Sequence, residues 1–137
     1  MPAKDIYHEI VKTALINEGW TITHDPFFIR IGKRKGFIDL GAETIAAERG
    51  LQKIAVEIKS FTGLSDLDQF EDALGQYNVY DFTLKRKEPN RELWIALPLG
   101  FYESFFEDTF FLEMAAHYQM NMIVFNENTN KIIEWKK

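Results

Sequence analysis

Ile54-Ala-Val-Glu-Ile-Lys-Ser60 alternates strictly, with Ile54, Val56 and Ile58 on one side and Ala55, Glu57 and Lys59 on the other. A period of two marks an extended strand with one apolar face and one small or charged face. Residues two apart share a face, so Glu57 and Lys59 project together while Ile58 turns to the core and leaves its carbonyl near the same edge. Upstream, Phe37-Ile-Asp-Leu40 reads as another strand carrying a single acid, Asp39. If these two strands are neighbours, Asp39, Glu57 and the Ile58 carbonyl converge as three oxygen donors. Such a set suits magnesium or manganese, hard cations that keep several waters and pair with phosphate oxygens. The Lys59 ammonium beside them would orient or deprotonate a water, or stabilise charge on a phosphoryl group. As a lone tripeptide, Glu-x-Lys is an ordinary solvent-facing ion pair. Here both acids stand between apolar residues, where an unpaired carboxylate is costly.

On the N-terminal side, Ile6, Ile10, Val11, Ala14 and Leu15 fall at helical spacing over Asp5 to Glu18, with Asp5 as N-cap and Gly19 as the stop. Trp20 to His24 is β-branched and alternating, and ends at Asp25-Pro26, because the residue before a proline is pushed out of helical space. Phe27 to Ile31 either continues that strand or forms a loop before a basic turn, Gly32-Lys-Arg-Lys-Gly36. Glu43 to Gly50 reads as a polar connection. On the C-terminal side, Ser65 opens a helix with acids in its first turn and a stripe of Leu67, Phe70, Leu74 and Tyr77. Lys85 to Arg91 reads as a charged loop, and Leu93 to Leu97 as a strand buried on both faces. A helix over about Phe105 to Tyr118 follows, entered through a capping box of Ser104 and Glu107. Met122 to Phe125 and Lys131 to Trp135 flank a polar turn, giving a hairpin. Helices interspersed among strands predict a layered α/β domain with a mixed sheet.

With 137 residues and 12 Phe, 5 Tyr and 3 Trp, the chain has enough apolar surface for one core without staples. It has no cysteine, which excludes disulfides and thiolate metal sites and suits a reducing compartment. No apolar run is long enough to span a bilayer and the N-terminus lacks a secretory pattern, so a cytoplasmic protein is expected, with no membrane partner. The net charge of -5 argues against coating nucleic acid through bulk electrostatics. Local basic clusters remain at Arg30 with Lys33 to Lys35, at Lys85 to Lys87, and at Lys136 and Lys137; each reads either as a solvated loop or tail or as a binding patch. His8, His24 and His117 are too scattered to argue a zinc site or a triad. Phe105, Phe106, Phe110, Phe111 and Met114 exceed what one helix face needs. They predict a broad core, and any part left exposed would mark a partner or homodimer interface.

Taken with the helices on either side, the order of elements resembles the PD-(D/E)xK nuclease superfamily, whose core is a helix, three strands, a helix and a strand. The resemblance implies a restriction-endonuclease-like fold over 1–137: a three-layer domain with a central mixed sheet flanked by helices and a C-terminal hairpin. Asp39 would be that motif's Asp, and Glu57 and Lys59 its E-x-K, with Ile38 standing where the motif has proline. In archaeal Holliday-junction resolvases a first-helix Glu precedes a Gly-aromatic start of the first strand, and Glu9 precedes Gly19-Trp20 in the same way, which implies a third acid. In the RecB-like branch a Gln-x-x-x-Tyr pattern follows the E-x-K strand, and Gln76 and Tyr80 match it.

The chain is also similar, end to end, to the XisH family of cyanobacterial proteins, described as controlling factors for excision of the fdxN element. Gly19-Trp-Thr-Ile-Thr-His-Asp-Pro26, Ala55-Val-Glu-Ile-Lys-Ser-Phe61, Phe70-Glu-Asp-Ala-Leu-Gly-Gln-Tyr77 and Leu93-Trp-Ile-Ala-Leu-Pro98 carry that likeness. It implies a role in a site-specific DNA rearrangement, with DNA, a recombinase and a companion called XisI as partners. It leaves two functions open. One is a magnesium-dependent endonuclease using Asp39, Glu57 and Lys59 with Glu9 and Gln76 in support; the other is an inactive accessory protein that binds DNA or a partner.

Overall fold

The computed structural model describes residues 3–46, 48, 50–61 and 65–137. In chain order its elements are α1 (Ala3–Asn17), β1 (Thr21–His24), β2 (Phe27–Ile31), β3 (Arg34–Ile38), β4 (Leu40–Ala46), β5 (Gly50–Ile58) and α2 (Asp66–Lys87). They continue with β6 (Arg91–Pro98), α3 (Leu99–Phe105), α4 (Thr109–His117), β7 (Met122–Asn126) and β8 (Lys131–Lys136). The alternating stretch is the end of β5. Among these residues, one sheet runs β1-β4-β5-β6-β7-β8, and β2 pairs only with β3. The sheet is mixed, because β5–β6 and β6–β7 are parallel while the other pairs are antiparallel. Parallel neighbours need long crossovers, which α2 and then α3 with α4 supply.

Alternation along β5 sorts the core into two layers. Ile54, Val56 and Ile58, with Leu40, Ala42, Trp94, Ala96, Ile123 and Phe125, pack under Ile10, Val11 and Leu15 of α1. Ala55 faces the other way, with Leu93, Ile95, Leu97 and Met122, against Phe70, Tyr77 and Leu84 of α2, Phe105 and Phe106, and Phe27, Ile29 and Ile38 of the β2–β3 hairpin. β6 contributes to both layers, which is why it reads as a near-continuous apolar run. Among the described residues no helix is long and apolar enough to cross a membrane.

Local signals set most ends. Gly19 takes φ 98 after α1, where its N–H donates to Ile16 O and the Trp20 N–H to Leu15 O, the paired bonds of a glycine-terminated helix. Ser65 Oγ accepts the Asp68 N–H at 3.2 Å, and α2 has Asp66 and Asp68 in its first turn and Lys85, Arg86 and Lys87 in its last, both matched to the helix dipole. At the C-terminal hairpin, Asn126 Oδ1 accepts the N–H groups of Asn128 and Thr129.

Elsewhere the structure corrects the sequence reading. α1 starts before Asp5, so Asp5 lies inside the helix. Of the expected polar connection from Glu43 to Gly50, Glu43 to Ala46 belong instead to β4, which pairs Glu43 with Lys53, Thr44 with Gln52 and Ile45 with Leu51, while Ala47 and Arg49 lie outside the described residues. Cross-strand pairing, including opposite charges at Glu43 and Lys53, outweighs the low strand preference of these residues. Phe27 to Ile31 belongs to a hairpin of its own, and the basic turn shrinks to Gly32 and Lys33, since Ile31 already pairs with Arg34. Lys85 to Lys87 are helical. Along α2 the buried residues are Phe70, Ala73, Tyr77 and Leu84, and Leu67 is exposed, so the apolar stripe is rotated from the expected one. The expected helix from Phe105 is two helices, because Asp108 Oδ1 takes the Phe110 N–H and starts α4; Ser104 lies in α3 and forms no capping box. Phe105 and Phe106 are core residues as expected, whereas Phe110 is exposed.

Gly41 shows how tightly β1, β2 and β4 meet. A Cβ there would lie 2.9 Å from His24 Nδ1 and 2.9 Å from Phe27 Cδ2. Gly41→Ala is therefore expected to destabilise the fold by about 1–3 kcal/mol through overpacking. Urea denaturation checks this, and a change within experimental error would mean that the His24 and Phe27 rings can move aside.

Candidate functional site

Asp39 sits where the chain leaves the small sheet for the large one, between Ile38 of β3 and Leu40 of β4. Because Leu40 pairs with Val56 in an antiparallel ladder, the next step of that register brings Asp39 opposite Glu57. Two hydrogen bonds lock the pair. Asp39 Oδ2 accepts the Ile58 N–H at 2.8 Å, and Glu57 Oε1 accepts the Asp39 N–H at 3.2 Å. The Lys59 N–H donates to Ala96 O at 2.9 Å, carrying the β5–β6 ladder one residue past β5. Lys59 therefore stays extended and shares the face of Glu57, with its Nζ 3.7 Å from Glu57 Oε2.

The Glu57 side chain is only 10% exposed. Burial, then the charge of Asp39, pushes its pKa up to about 7, while Lys59 pulls the other way. The group thus exchanges its proton near neutrality, as acid–base and metal-binding carboxylates do. Gln76 and Tyr80, one turn apart on α2, lie over the same face: Gln76 Nε2 donates to Tyr80 Oη at 3.0 Å. The Tyr80 hydroxyl is raised above its ordinary pKa by burial and then by Glu57, with a smaller contribution from Asp39. Gln76 Oε1 is buried and has no hydrogen-bond partner among the described residues.

Asp39, Glu57, Ile58 and Lys59 are thus brought together, with Gln76 joined to them through Tyr80. Glu9 is not. α1 covers the opposite face of the sheet, and Glu9 is exposed there with Lys12 as its charged neighbour. His8 bonds Asp25 at 2.8 Å beside Lys12, while His24 packs on the ring of Phe27 and His117 on that of Tyr118.

A cleft of about 480 Å³ beyond the end of β5, lined by Ser60, Phe61, Asp66, Phe101 and Glu127 among others, went unanticipated. Phe61 turns the chain there with φ 52 and stacks on Phe101 at 3.9 Å. The strand signal ending at Ser60 marks the start of that turn. Nothing local marks Glu127, which comes from the turn of the C-terminal hairpin.

Among the described residues, no three or more His, Asp or Glu side chains are grouped to hold a metal. The donor set nonetheless fits magnesium: two convergent carboxylates and the Ile58 carbonyl are hard oxygen ligands, and water and phosphate complete its shell in sites of this kind.

Residues 1–133 match the family model described as XisH protein. The structure is similar to a crystal structure of a fdxN element excision controlling factor protein from Anabaena variabilis, with 40% identity, a TM-score of 0.87, and cover of 97% of this chain and 99% of that one. It is likewise similar to an XisH family protein from Nostoc punctiforme PCC 73102, with 38% identity, a TM-score of 0.86, and cover of 97% and 100%. Curated proteins contain no match. With the family model spanning nearly the whole chain and a solved relative 40% identical to it, the chain belongs to the XisH family.

Proposed function

We propose that this chain is an excision controlling factor in a site-specific DNA rearrangement and carries a PD-(D/E)xK-type, magnesium-dependent endonuclease site on a restriction-endonuclease-like fold. The observation that carries the reading is the convergence of Asp39 and Glu57, held by reciprocal backbone bonds with Lys59 beside them. The name of the Anabaena variabilis relative supplies the setting. Asp39, Glu57 and the Ile58 carbonyl would hold the ion. Bound magnesium supplies a more acidic water and neutralises phosphate charge. Lys59 would orient the water and stabilise charge on the phosphoryl group, with Gln76 in support from α2, where it bonds Tyr80. Glu9, on the other face of the sheet, is left out of this machinery.

Purified protein is expected to nick or cut DNA in magnesium or manganese and not in chelator. Lys59→Ala should abolish cutting while circular dichroism shows an intact fold. Cutting retained by that variant would place the activity elsewhere. A second reading, a non-cleaving cytoplasmic factor that binds DNA or a partner and regulates a recombinase, is favoured by the net charge of -5 and by the exposed Phe110, which would offer an apolar contact to a companion like XisI or a second copy. Co-purification with such a companion, and no metal-dependent cutting by the complex, would select it.

A further inference from the structure

We propose that the β2–β3 hairpin is an arm that grips the phosphate backbone of duplex DNA and leads it to Asp39 and Glu57. This rests on the DNA reading above and names the surface that would carry it.

Residues 27–38 contain four cations, Arg30, Lys33, Arg34 and Lys35, and no acid, within a chain of net charge -5. All four are exposed. Among the described residues none of them forms an ion pair with a carboxylate. The other basic clusters are largely engaged: Lys85 pairs with Asp81, Arg86 lies over the Phe82 ring, Lys87 donates to Phe28 O, and Lys137 pairs with Glu92. The register sharpens the contrast. Arg30 stands directly across from Lys35, and like charges in cross-strand positions destabilise a ladder. Phe27, Ile29 and Ile31 alternate inward, so Arg30 and Lys35 share the outer face with Phe28 and Phe37, and Lys33 sits in the turn. Arg30 lies over the Phe28 ring at 5.7 Å, but no carboxylate among the described residues offsets the charge of the pair. A cationic pair on a two-stranded ribbon is complementary to an external polyanion, and a ribbon of this width fits a DNA groove.

Position ties the arm to the site. β3 runs from Arg34 to Ile38, and the next residue is Asp39. Five extended residues span roughly 17 Å, about half a turn of duplex. The hairpin also packs on the α2 side of the sheet, the side to which Glu57 and Lys59 project. Phosphates gripped at the tip would therefore continue toward the carboxylate pair along one strand direction.

The test is fluorescence anisotropy with a labelled duplex a few turns long, in chelator so that binding is read apart from metal chemistry, at several salt concentrations. Arg30→Ala/Lys33→Ala/Lys35→Ala should bind at least about tenfold more weakly, and the slope of log affinity against log salt should flatten by roughly 0.9 for each phosphate contact removed. Lys136→Ala/Lys137→Ala, with two cations removed elsewhere, should leave affinity and slope near wild type. Circular dichroism and thermal melting confirm that the variants fold. The arm is overturned if the wild type binds no duplex, if the triple variant keeps the wild-type slope, or if the C-terminal variant loses as much. Such a failure leaves the metal site to be judged by Lys59→Ala cutting, which uses none of the arm's residues. Loss of the metal site would, conversely, leave the salt slope in chelator unchanged.

Discussion

Glu57→Gln should make the protein more stable above neutral pH and at the same time abolish magnesium binding. The folded carboxyl holds its proton up to about pH 7, whereas its ordinary value is 4.5. As pH rises through that window the unfolded chain ionises first, so the native state binds more protons and stability falls with pH, levelling above the folded value. The penalty at pH 8 is on the order of 3 kcal/mol, and a neutral amide of the same shape removes it. Gln can still accept the Asp39 N–H, so the backbone lock need not break. Urea denaturation of wild type and Glu57→Gln should show the variant ahead at pH 8 and the two converging toward about pH 4. Isothermal titration with magnesium should lose its signal in the variant. A less stable variant at pH 8 would mean that Glu57 is a structural ion-pair partner of Lys59. A residue that weakens the fold in order to bind a cation is the usual signature of a functional site.

Arg91→Ala should cost about 3–5 kcal/mol, the range for stranding the partners of a buried charge. Arg91 is 3% exposed. Its guanidinium donates to Ile54 O at 2.8 Å and Ala42 O at 3.4 Å, meets Glu88 at 3.1 Å, and lies over the Phe27 ring at 4.8 Å. One side chain thereby joins β4, β5, β6, the end of α2 and the β2–β3 hairpin. Lys137→Ala, which breaks the exposed pair with Glu92, should change stability by less than about 0.5 kcal/mol. Denaturation midpoints of the two variants separate these cases, and a loss below about 1 kcal/mol for Arg91→Ala would assign its contacts to packing alone. In sequence this residue closed a charged loop; only the neighbours that the fold assembles distinguish it from Lys85 or Lys87.

Much of the candidate site could be read in advance because its logic is local. Alternation from Ile54 to Lys59 says which side chains share a face whatever lies beside the strand, so Glu57 and Lys59 could be paired from sequence. The helix start at Ser65, the stop at Gly19, the buried run at Leu93 to Leu97 and the C-terminal hairpin rest on equally short-range chemistry. The placement of Glu9 has no such local basis. Its spacing from Gly19-Trp20 is right, but the face of the sheet that α1 covers depends on a layer of Ile10, Val11 and Leu15 against β4, β5 and β6. Glu43 to Ala46 differ from the expected connection for a related reason, since this part of β4 exists through pairing with β5 and not through its own preferences.

By itself, then, the sequence determined the alternating strand, its charged face, the α2 start at Ser65 and the α1 stop at Gly19, all of which follow from residue type and spacing within a few positions. The tertiary structure alone decided that Asp39 meets Glu57, that Arg91 is buried among five elements, and that the basic residues near Lys33 stand on a separate ribbon with no carboxylate partner among the described residues. Backbone periodicity is set by neighbours along the chain, but burial, register and charge pairing belong to residues brought together from far apart in it.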